Sequence, residues 1–302
     1  MNNRVFFLFF PVAVIGCGES TQQAMPDEFL AMEKPPFIVN VDPGKYSLNS
    51  LYDDGTVSQL LRSVDEGDYR SKYLLGVLLN NDISIVQLED SIYDGRSLLL
   101  DSWKNGVVDA GYSLYLIYRS SGDSDSLALE YLASSAEYGY VKSQRSLGYC
   151  YSGVVIDDLC EVDYSKSMYW FRKAAEEGDA LSALSLSGMY EHGQAGEKNY
   201  SEAFYWAFLS KDMMYDSNSF SFNRLARYYE EGIGTDIDLV QAYKYYDLLS
   251  PGSAPDKARL EAQMTPEQIQ EAIRLSRQWQ DEHNIFVPSY YGLEYQEDGS
   301  FQ

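Results

Sequence analysis

Side chains that catalyse reactions or bind metals are few in this sequence, and their spacing suits neither task. The 302 residues include two histidines, His192 and His283, and neither has a second ligand at the spacing of a zinc site or a catalytic triad. The sequence contains no Gly-x-Ser-x-Gly elbow, P-loop, Cys-x-x-Cys or His-Glu-x-x-His motif. We therefore predict a protein that is not an enzyme and that takes no cofactor, metal or small-molecule substrate.

Acidic residues are abundant, but their placement indicates solvated surface. The pairs Glu176-Glu177 and Glu230-Glu231 fall at predicted helix ends, and adjacent helical residues do not share a face, so they form no acid/base pair. Asp-rich loops occur at Asp53-Asp54-Gly55 and at 123–125, without the ligand count of an EF-hand. These loops could bind calcium weakly, but their composition favours solvated turns.

The charge of the chain limits its partners. Lys and Arg number 23 against 46 Asp and Glu, which gives a formal net charge of −23. Hydrophobic residues make up 45% of the chain, a composition typical of folded proteins. Nucleic acids and anionic bilayers are bound through clustered basic residues, so we predict no nucleic-acid partner. A charged protein partner is expected to be basic, although acidity alone is equally compatible with solvated helix surfaces.

Residues 1–16 have the composition of an export signal. One positive charge, on Arg4, precedes twelve apolar residues, a run too short to span a bilayer. The sequence Val14-Ile15-Gly16-Cys17 resembles the lipobox of bacterial lipoproteins, which implies cleavage before Cys17 and stable anchoring through acyl chains on that residue. Because Gly18 follows instead of Asp, the resemblance implies the outer membrane, facing the periplasm. The alternative is an ordinary cleaved signal in which Cys17 is incidental.

Two further cysteines, Cys150 and Cys160, are ten residues apart across a predicted helix end and loop. Export brings them to an oxidising compartment, where a disulfide can close that loop. In the chain-entropy model such a bond stabilises the fold by about 2–3 kcal/mol. Two unpaired buried thiols are the alternative.

A leucine pattern recurs five times along the chain. In four copies a Gly is followed eight residues later by Leu and twelve residues later by Leu or Tyr, and the fifth copy lacks the Gly. The leucines are 39, 33, 39 and 39 residues apart: Leu75, Leu114, Leu147, Leu186 and Leu225. Because these steps approximate whole helical turns, each copy predicts a helix with one buried face, which we call a first helix.

A second helix is predicted between successive first helices. Each carries an aromatic residue near its start, at Tyr131, Trp170, Trp206 and Tyr245. Small residues allow the helices to approach closely, at Ala136, Ser143, Ala175, Ser187 and Ala226. Gly139 and Gly178 are expected to end second helices in a left-handed conformation, and Ser165 and Ser201 to cap their starts.

These units resemble Sel1-like repeats, which are relatives of the tetratricopeptide family. The residues that carry the resemblance are Trp170, Ala174-Ala175, Gly178, Leu186 and Tyr190, and then Gly232-Ile233-Gly234, Asp238 and Ala242. The match covers roughly residues 56–250 and departs at the long 80–94 connection, the short 119–127 connection and Gly188. The resemblance implies an all-α fold, a right-handed α/α solenoid of about five helix pairs. Thr265, Pro266 and Gln268 predict a capping box that starts a C-terminal capping helix.

The expected organisation follows from these segments. It consists of a signal peptide with lipobox (1–16), a spacer (17–50), the repeat solenoid (51–250), C-terminal capping helices (251–283) and an aromatic tail (284–302).

The resemblance also implies a function, because proteins of this family bind other proteins along the face made by the first helices. Positions not used for the core are expected to line that groove: Lys142, Arg145, Tyr149, Arg224, Arg227 and Tyr228. The alternative for each is an internal pairing with a carboxylate. We predict a protein-interaction scaffold or adaptor in the bacterial envelope, or else an immunity protein that neutralises a secreted antibacterial toxin such as a phospholipase. A β-lactam-binding hydrolase is a remote alternative, because the Sel1-like proteins of that kind carry a disulfide in every repeat.

Overall fold

The computed structural model describes residues 54–80, 93–154, 159–213 and 218–284, and these residues form thirteen helices and no strand. The first five helices are α1 (Asp54–Asp65), α2 (Tyr69–Asn80), α3 (Gly95–Lys104), α4 (Asp109–Ser121) and α5 (Asp125–Glu137). The remaining helices are α6 (Val141–Ser152), α7 (Tyr164–Glu176), α8 (Ala180–His192), α9 (Tyr200–Ser210), α10 (Asn218–Glu231), α11 (Leu239–Leu248), α12 (Ala254–Glu261) and α13 (Pro266–His283). The signal peptide, Cys17, the spacer and most of the tail lie outside the described residues.

The helices pack in sequence as an α/α solenoid. Each first helix contacts the second helix that follows it, which gives five pairs: α2 with α3, α4 with α5, α6 with α7, α8 with α9, and α10 with α11. Each second helix then contacts the first helix of the next pair. The prediction of an all-helical solenoid with about five helix pairs is confirmed.

The leucine pattern marks the core of this solenoid. Leu75, Leu114, Leu147, Leu186 and Leu225 are each no more than 1% exposed. The five small residues predicted at helix contacts are all buried, and the Oγ atom of one of them, Ser143 on α6, lies 2.6 Å from the Oγ atom of Ser135 on α5. Close contact is needed because a larger side chain at either position would separate the helices and open voids in the core.

The second helices end as predicted, but they start at different residues from those predicted. Gly139 and Gly178 have φ values of 90° and 94°, which confirms the left-handed helix ends. The prediction of N-caps at Ser165 and Ser201 is wrong, because these serines lie inside the first turns of α7 and α9.

The caps are Asp163 and Asn199, whose side chains accept hydrogen bonds from the backbone N–H groups of Lys166 (3.0 Å) and Glu202 (3.1 Å). Their own backbone N–H groups donate to the carbonyl oxygens of Tyr151 and Tyr190, at 2.9 and 3.0 Å. The second helices therefore begin two residues earlier than expected, at the point where the chain is tied back to the preceding first helix.

Two features fix the C-terminal half. The predicted capping box at Thr265 is confirmed, with side chain and backbone of Thr265 and Gln268 bonded reciprocally at the start of α13. Helix α13 packs on α11, and its Trp279 ring contacts the Phe222 ring edge-on with centroids 4.9 Å apart.

A disulfide joins Cys150 at the end of α6 to Cys160 in the following loop, with Cα atoms 5.5 Å apart. No helix among the described residues is long and apolar enough to cross a bilayer.

Candidate protein-binding cleft

A cleft of about 690 Å³ opens on the face formed by three consecutive first helices. Helices α6, α8 and α10 form its floor and walls, and the segment leading into α12 closes one end. The residues that line it include Tyr149 of α6, Leu181, Leu184 and Ser185 of α8, Phe220, Asn223, Arg224 and Arg227 of α10, and Asp256 of α12. We call this feature the cleft.

The helical period explains why these side chains share the cleft. Phe220 and Arg224 precede the buried Leu225 by five residues and one residue, and Arg227 follows it by two. At about 100° per residue, these offsets place all three side chains on the side of α10 that faces away from the core. Leu181 lies five residues before Leu186 and therefore occupies the equivalent position on α8.

At the rim of the cleft, Arg227 is bonded to the neighbouring repeat. Its Nη2 donates to both carboxylate oxygens of Glu191 on α8, at 2.8 and 2.7 Å, and the Tyr228 hydroxyl donates to the same carboxylate at 2.8 Å. The Ser187 and Tyr228 hydroxyls are 2.9 Å apart beneath it. This network joins α8 to α10 through paired, partly buried polar groups.

The network also sets the charge state of its members. Burial on its own raises the pKa of the Glu191 carboxyl, but the hydrogen bonds from Arg227 and Tyr228, together with the Arg227 charge, outweigh it, so this pKa lies below its usual value. The hydrogen bond to Glu191 in turn raises the pKa of Arg227. Both groups are therefore charged at neutral pH, and Arg227 is largely neutralised by its partner.

Arg224 is placed differently. Its Nη1 donates to the carbonyl oxygen of Leu184 at 3.2 Å, and no carboxylate of the described residues lies within ion-pair distance of it. Gly188 makes room for this guanidinium, because a Cβ atom at that position would lie 3.1 Å from Arg224 Nη1. The glycine that departs from the repeat pattern thus lies directly against the Arg224 guanidinium at the floor of the cleft.

Of the six residues predicted to line a groove, three line the cleft and three do not. Tyr149, Arg224 and Arg227 do line the cleft. Lys142 and Tyr228 do not face an open groove, since they are only 7% and 0% exposed. For these two the prediction is wrong: the Lys142 ammonium lies 5.9 Å from the centroid of the Tyr112 ring, and Tyr228 bonds inward.

Arg145 lies outside the cleft. Its guanidinium donates to the buried carboxylate of Asp179 at 2.8 Å, which is the internal pairing stated as the alternative. Sequence reasoning missed Leu181 and Phe220, because an apolar residue was assumed to be part of the core. Their shared offset from the buried leucines was the signal available in the sequence.

Among the described residues that line it, the cleft offers binding groups and no catalytic set. Ser185 donates its hydroxyl hydrogen bond to the backbone carbonyl of Leu181 at 2.9 Å, so no base activates it. Within the described ranges, no three His, Cys, Asp or Glu side chains are grouped as metal ligands. His192 is exposed, and His283 stacks on Trp279 with ring centroids 4.1 Å apart. The groups present are an exposed aromatic ring, aliphatic side chains and guanidinium donors, which suit recognition of a protein segment.

The fold and the cleft together define a helical-repeat solenoid. Three stretches match the sequence model of the Sel1 repeat: 141–179, 180–212 and 223–249. These stretches correspond to the pairs α6–α7, α8–α9 and α10–α11, which supply most of the cleft. These three stretches, about a third of the chain, therefore match Sel1 repeats, and Sel1-repeat proteins mediate interactions between proteins.

Known proteins share parts of this architecture. The chain is 32% identical over 137 residues to chitin synthase regulatory factor 3 of Schizosaccharomyces pombe, a match that covers 44% of this chain and 14% of that protein. The structure of c5321, a protective antigen of uropathogenic Escherichia coli with an SLR fold, matches with a TM-score of 0.61 and 22% identity, over 77% of this chain and 49% of that one. A Sel1 repeat protein from Oxalobacter formigenes matches with a TM-score of 0.58 and 16% identity, over 78% of this chain and 100% of that one. The two structures share the fold.

Proposed function

We propose that this protein is a scaffold that binds another protein through the cleft, and that it performs no catalysis. The observation that carries the proposal is the exposed apolar and cationic lining of the cleft. Phe220 is 61% exposed there and is one of eleven large apolar side chains that are exposed among the described residues. An exposed aromatic residue beside arginines, set in a concave surface, is typical of the few residues that dominate a protein interface.

A capture experiment tests this function. The protein is purified from the envelope fraction with its bound partners, as wild type and as Arg224→Glu, Phe220→Ser and Lys173→Glu. Lys173 is an exposed residue on α7, outside the cleft, so its variant matches the charge change of Arg224→Glu. Loss of one specific partner from the two cleft variants, with retention in Lys173→Glu, supports the proposal. Retention in all three variants would refute the cleft as the binding site.

We further propose that the protein is anchored by lipid on Cys17 in the bacterial envelope, at the outer membrane and facing the periplasm. The support is the sequence Val14-Ile15-Gly16-Cys17 followed by Gly18, together with an apolar run too short to span a bilayer. Metabolic labelling with a radioactive fatty acid should mark the wild type and leave Cys17→Ser unlabelled. An unlabelled wild type would contradict the anchor without affecting the cleft.

The partner class is an envelope protein for which this chain acts as an adaptor. A basic secreted toxin, neutralised by this chain as an immunity protein, is the second candidate, and the net charge of −23 favours it through electrostatic steering. The two candidates differ in where they bind. A basic toxin would contact the acidic surface outside the cleft, so its binding would survive Arg224→Glu and weaken with added salt.

A further inference from the structure

The cleft places two arginines on one face of a chain that is strongly acidic overall. Its lining has two arginines and one aspartate, Asp256, whereas the chain as a whole has a formal charge of −23. Arg227 is paired with Glu191 at 2.7 Å, and Asp256 is paired with Arg259 at 2.7 Å. Arg224 is therefore the arginine of the lining that has no carboxylate of the described residues within ion-pair distance, although its charge also acts on Glu191.

Most of the hydrogen-bonding capacity of Arg224 is left unused by the described residues. A guanidinium has five N–H donors in a rigid fork, and the described contacts use one of them, on the Leu184 carbonyl. Such a fork matches the geometry of a carboxylate, which can accept two of its donors at once. Because Arg224 is partly buried, an ion pair formed there is screened less than one on an open surface.

Apolar surface lies beside this cation. Phe220 is one helical turn from Arg224 on α10, and Leu181 occupies the equivalent position on α8. Tyr149 continues the lining onto α6, where its ring meets the Phe171 ring edge-on with centroids 5.0 Å apart. An incoming apolar side chain can therefore contact Phe220 and Leu181 while an adjacent group reaches Arg224.

We propose that the cleft recognises a protein segment that carries an Asp or Glu carboxylate next to an apolar side chain, preferably an aromatic one. The carboxylate pairs with Arg224 and the apolar side chain packs against Phe220 and Leu181. Lys and Arg are excluded from the position beside Arg224 by charge repulsion. The inference rests on the proposed function of the cleft and names the chemistry of its partner, which is acidic at the contact although the net charge of the chain favours a basic one.

A random heptapeptide library displayed on phage tests the recognition chemistry directly. It is selected against the whole chain in detergent micelles, as wild type and as Arg224→Glu, Arg224→Lys, Phe220→Ser and Lys173→Glu. The wild type and Lys173→Glu should enrich peptides with Asp or Glu beside an aromatic or aliphatic residue. Arg224→Glu should lose that enrichment and select Lys or Arg at the same position.

The most enriched peptide is then synthesised and titrated by fluorescence anisotropy. Its dissociation constant should rise about tenfold or more with Arg224→Glu, as expected for loss of a charged hydrogen-bonded pair. Arg224→Lys keeps the charge but loses the fork, so a smaller rise, about threefold, is expected. Lys173→Glu should leave the constant unchanged. Because Phe220 is well exposed, Phe220→Ser also tests the site with a variant that preserves the fold.

Two negative results have different meanings. If enriched peptides contain no acidic residue but still lose binding with Phe220→Ser, the proposed partner chemistry is wrong and the cleft remains a protein-binding site. If enriched peptides bind every variant equally, the cleft is not the binding site and both proposals fail.

Discussion

Glu191 at the end of α8 accepts two hydrogen bonds from the Arg227 guanidinium of α10, at 2.8 and 2.7 Å, and so joins consecutive repeats at the rim of the cleft. In a solenoid each repeat is stabilised mainly by its neighbours, so a bridge of this kind contributes to the interface between units. The same bridge holds the wall of α10 on which Arg224 and Phe220 lie.

Removal of the Arg227 side chain should therefore destabilise the solenoid. In Arg227→Ala the partly buried Glu191 carboxylate loses its main partner, and we expect a loss of about 1–2 kcal/mol in the free energy of unfolding. Urea denaturation followed by circular dichroism measures it. Arg274→Ala is the matched control, because its pair with Glu271 is exposed within α13, and a clearly smaller loss is expected there. Equal losses in both variants would contradict the assigned role of the bridge.

The contribution of Glu191 should depend on pH. Its folded-state pKa lies below the usual value of about 4.5, so the folded state binds this proton less well than the unfolded state. The stabilisation is therefore fully present above about pH 4.5 and is lost as the pH falls through the lower folded value. The difference in unfolding free energy between wild type and Glu191→Gln should shrink as the pH is lowered below about 4.5. A difference that stays constant over this range would show that ionisation of Glu191 does not stabilise the fold.

Helix packing should tolerate no side chain at Gly148. A Cβ atom there would lie 2.5 Å from Cδ1 of Phe171, a ring that is 1% exposed and already in contact with Tyr149. We expect Gly148→Ala to lower the free energy of unfolding by about 1–3 kcal/mol, the usual cost of overpacking. Gly196→Ala is the control, since a Cβ atom at that position meets nothing within 4 Å. Thermal denaturation of the two variants should separate them clearly, and similar midpoints would refute the close contact.

The bond between Cys150 and Cys160 should stabilise the link between α6 and α7. The two cysteines are ten residues apart in sequence, and reduction opens the loop that their bond closes. The chain-entropy model then gives a loss of about 2–3 kcal/mol in the free energy of unfolding. Denaturation in the presence and absence of a reductant measures this, and the double variant Cys150→Ser, Cys160→Ser should be insensitive to reductant. No shift of the wild-type midpoint on reduction would contradict the prediction.

The architecture could be predicted because it depends on periodic positions. A buried leucine once per repeat, at near-constant spacing, determines which face of each first helix is internal, and Leu147, Leu186 and Leu225 are all buried as expected. The left-handed glycines could also be predicted, because Gly139 and Gly178 end helices that must reverse direction. Capping was less predictable, since Asp163 and Ser165 are both good capping residues and only the bond from Asp163 to Tyr151 selects between them.

The cleft could be predicted only in part. Tyr149, Arg224 and Arg227 were found by excluding core positions, but the same rule wrongly included Lys142 and Tyr228. The helical period does not show which polar residues a neighbouring helix covers, and Tyr228 is covered by its contacts with α8. The end wall depends on the path of the chain from α11 into α12, which no repeat specifies.

Site-specific photo-crosslinking in intact cells tests the central claim most directly, namely that this protein binds another protein through the cleft. The variant Phe220→p-benzoylphenylalanine places the probe in the cleft, and Tyr205→p-benzoylphenylalanine places it on an exposed residue of α9 outside the cleft. We predict one discrete adduct with a second protein from position 220, which is lost on adding Arg224→Glu and absent from position 205. No adduct at position 220, or the same adducts at both positions, would contradict the account.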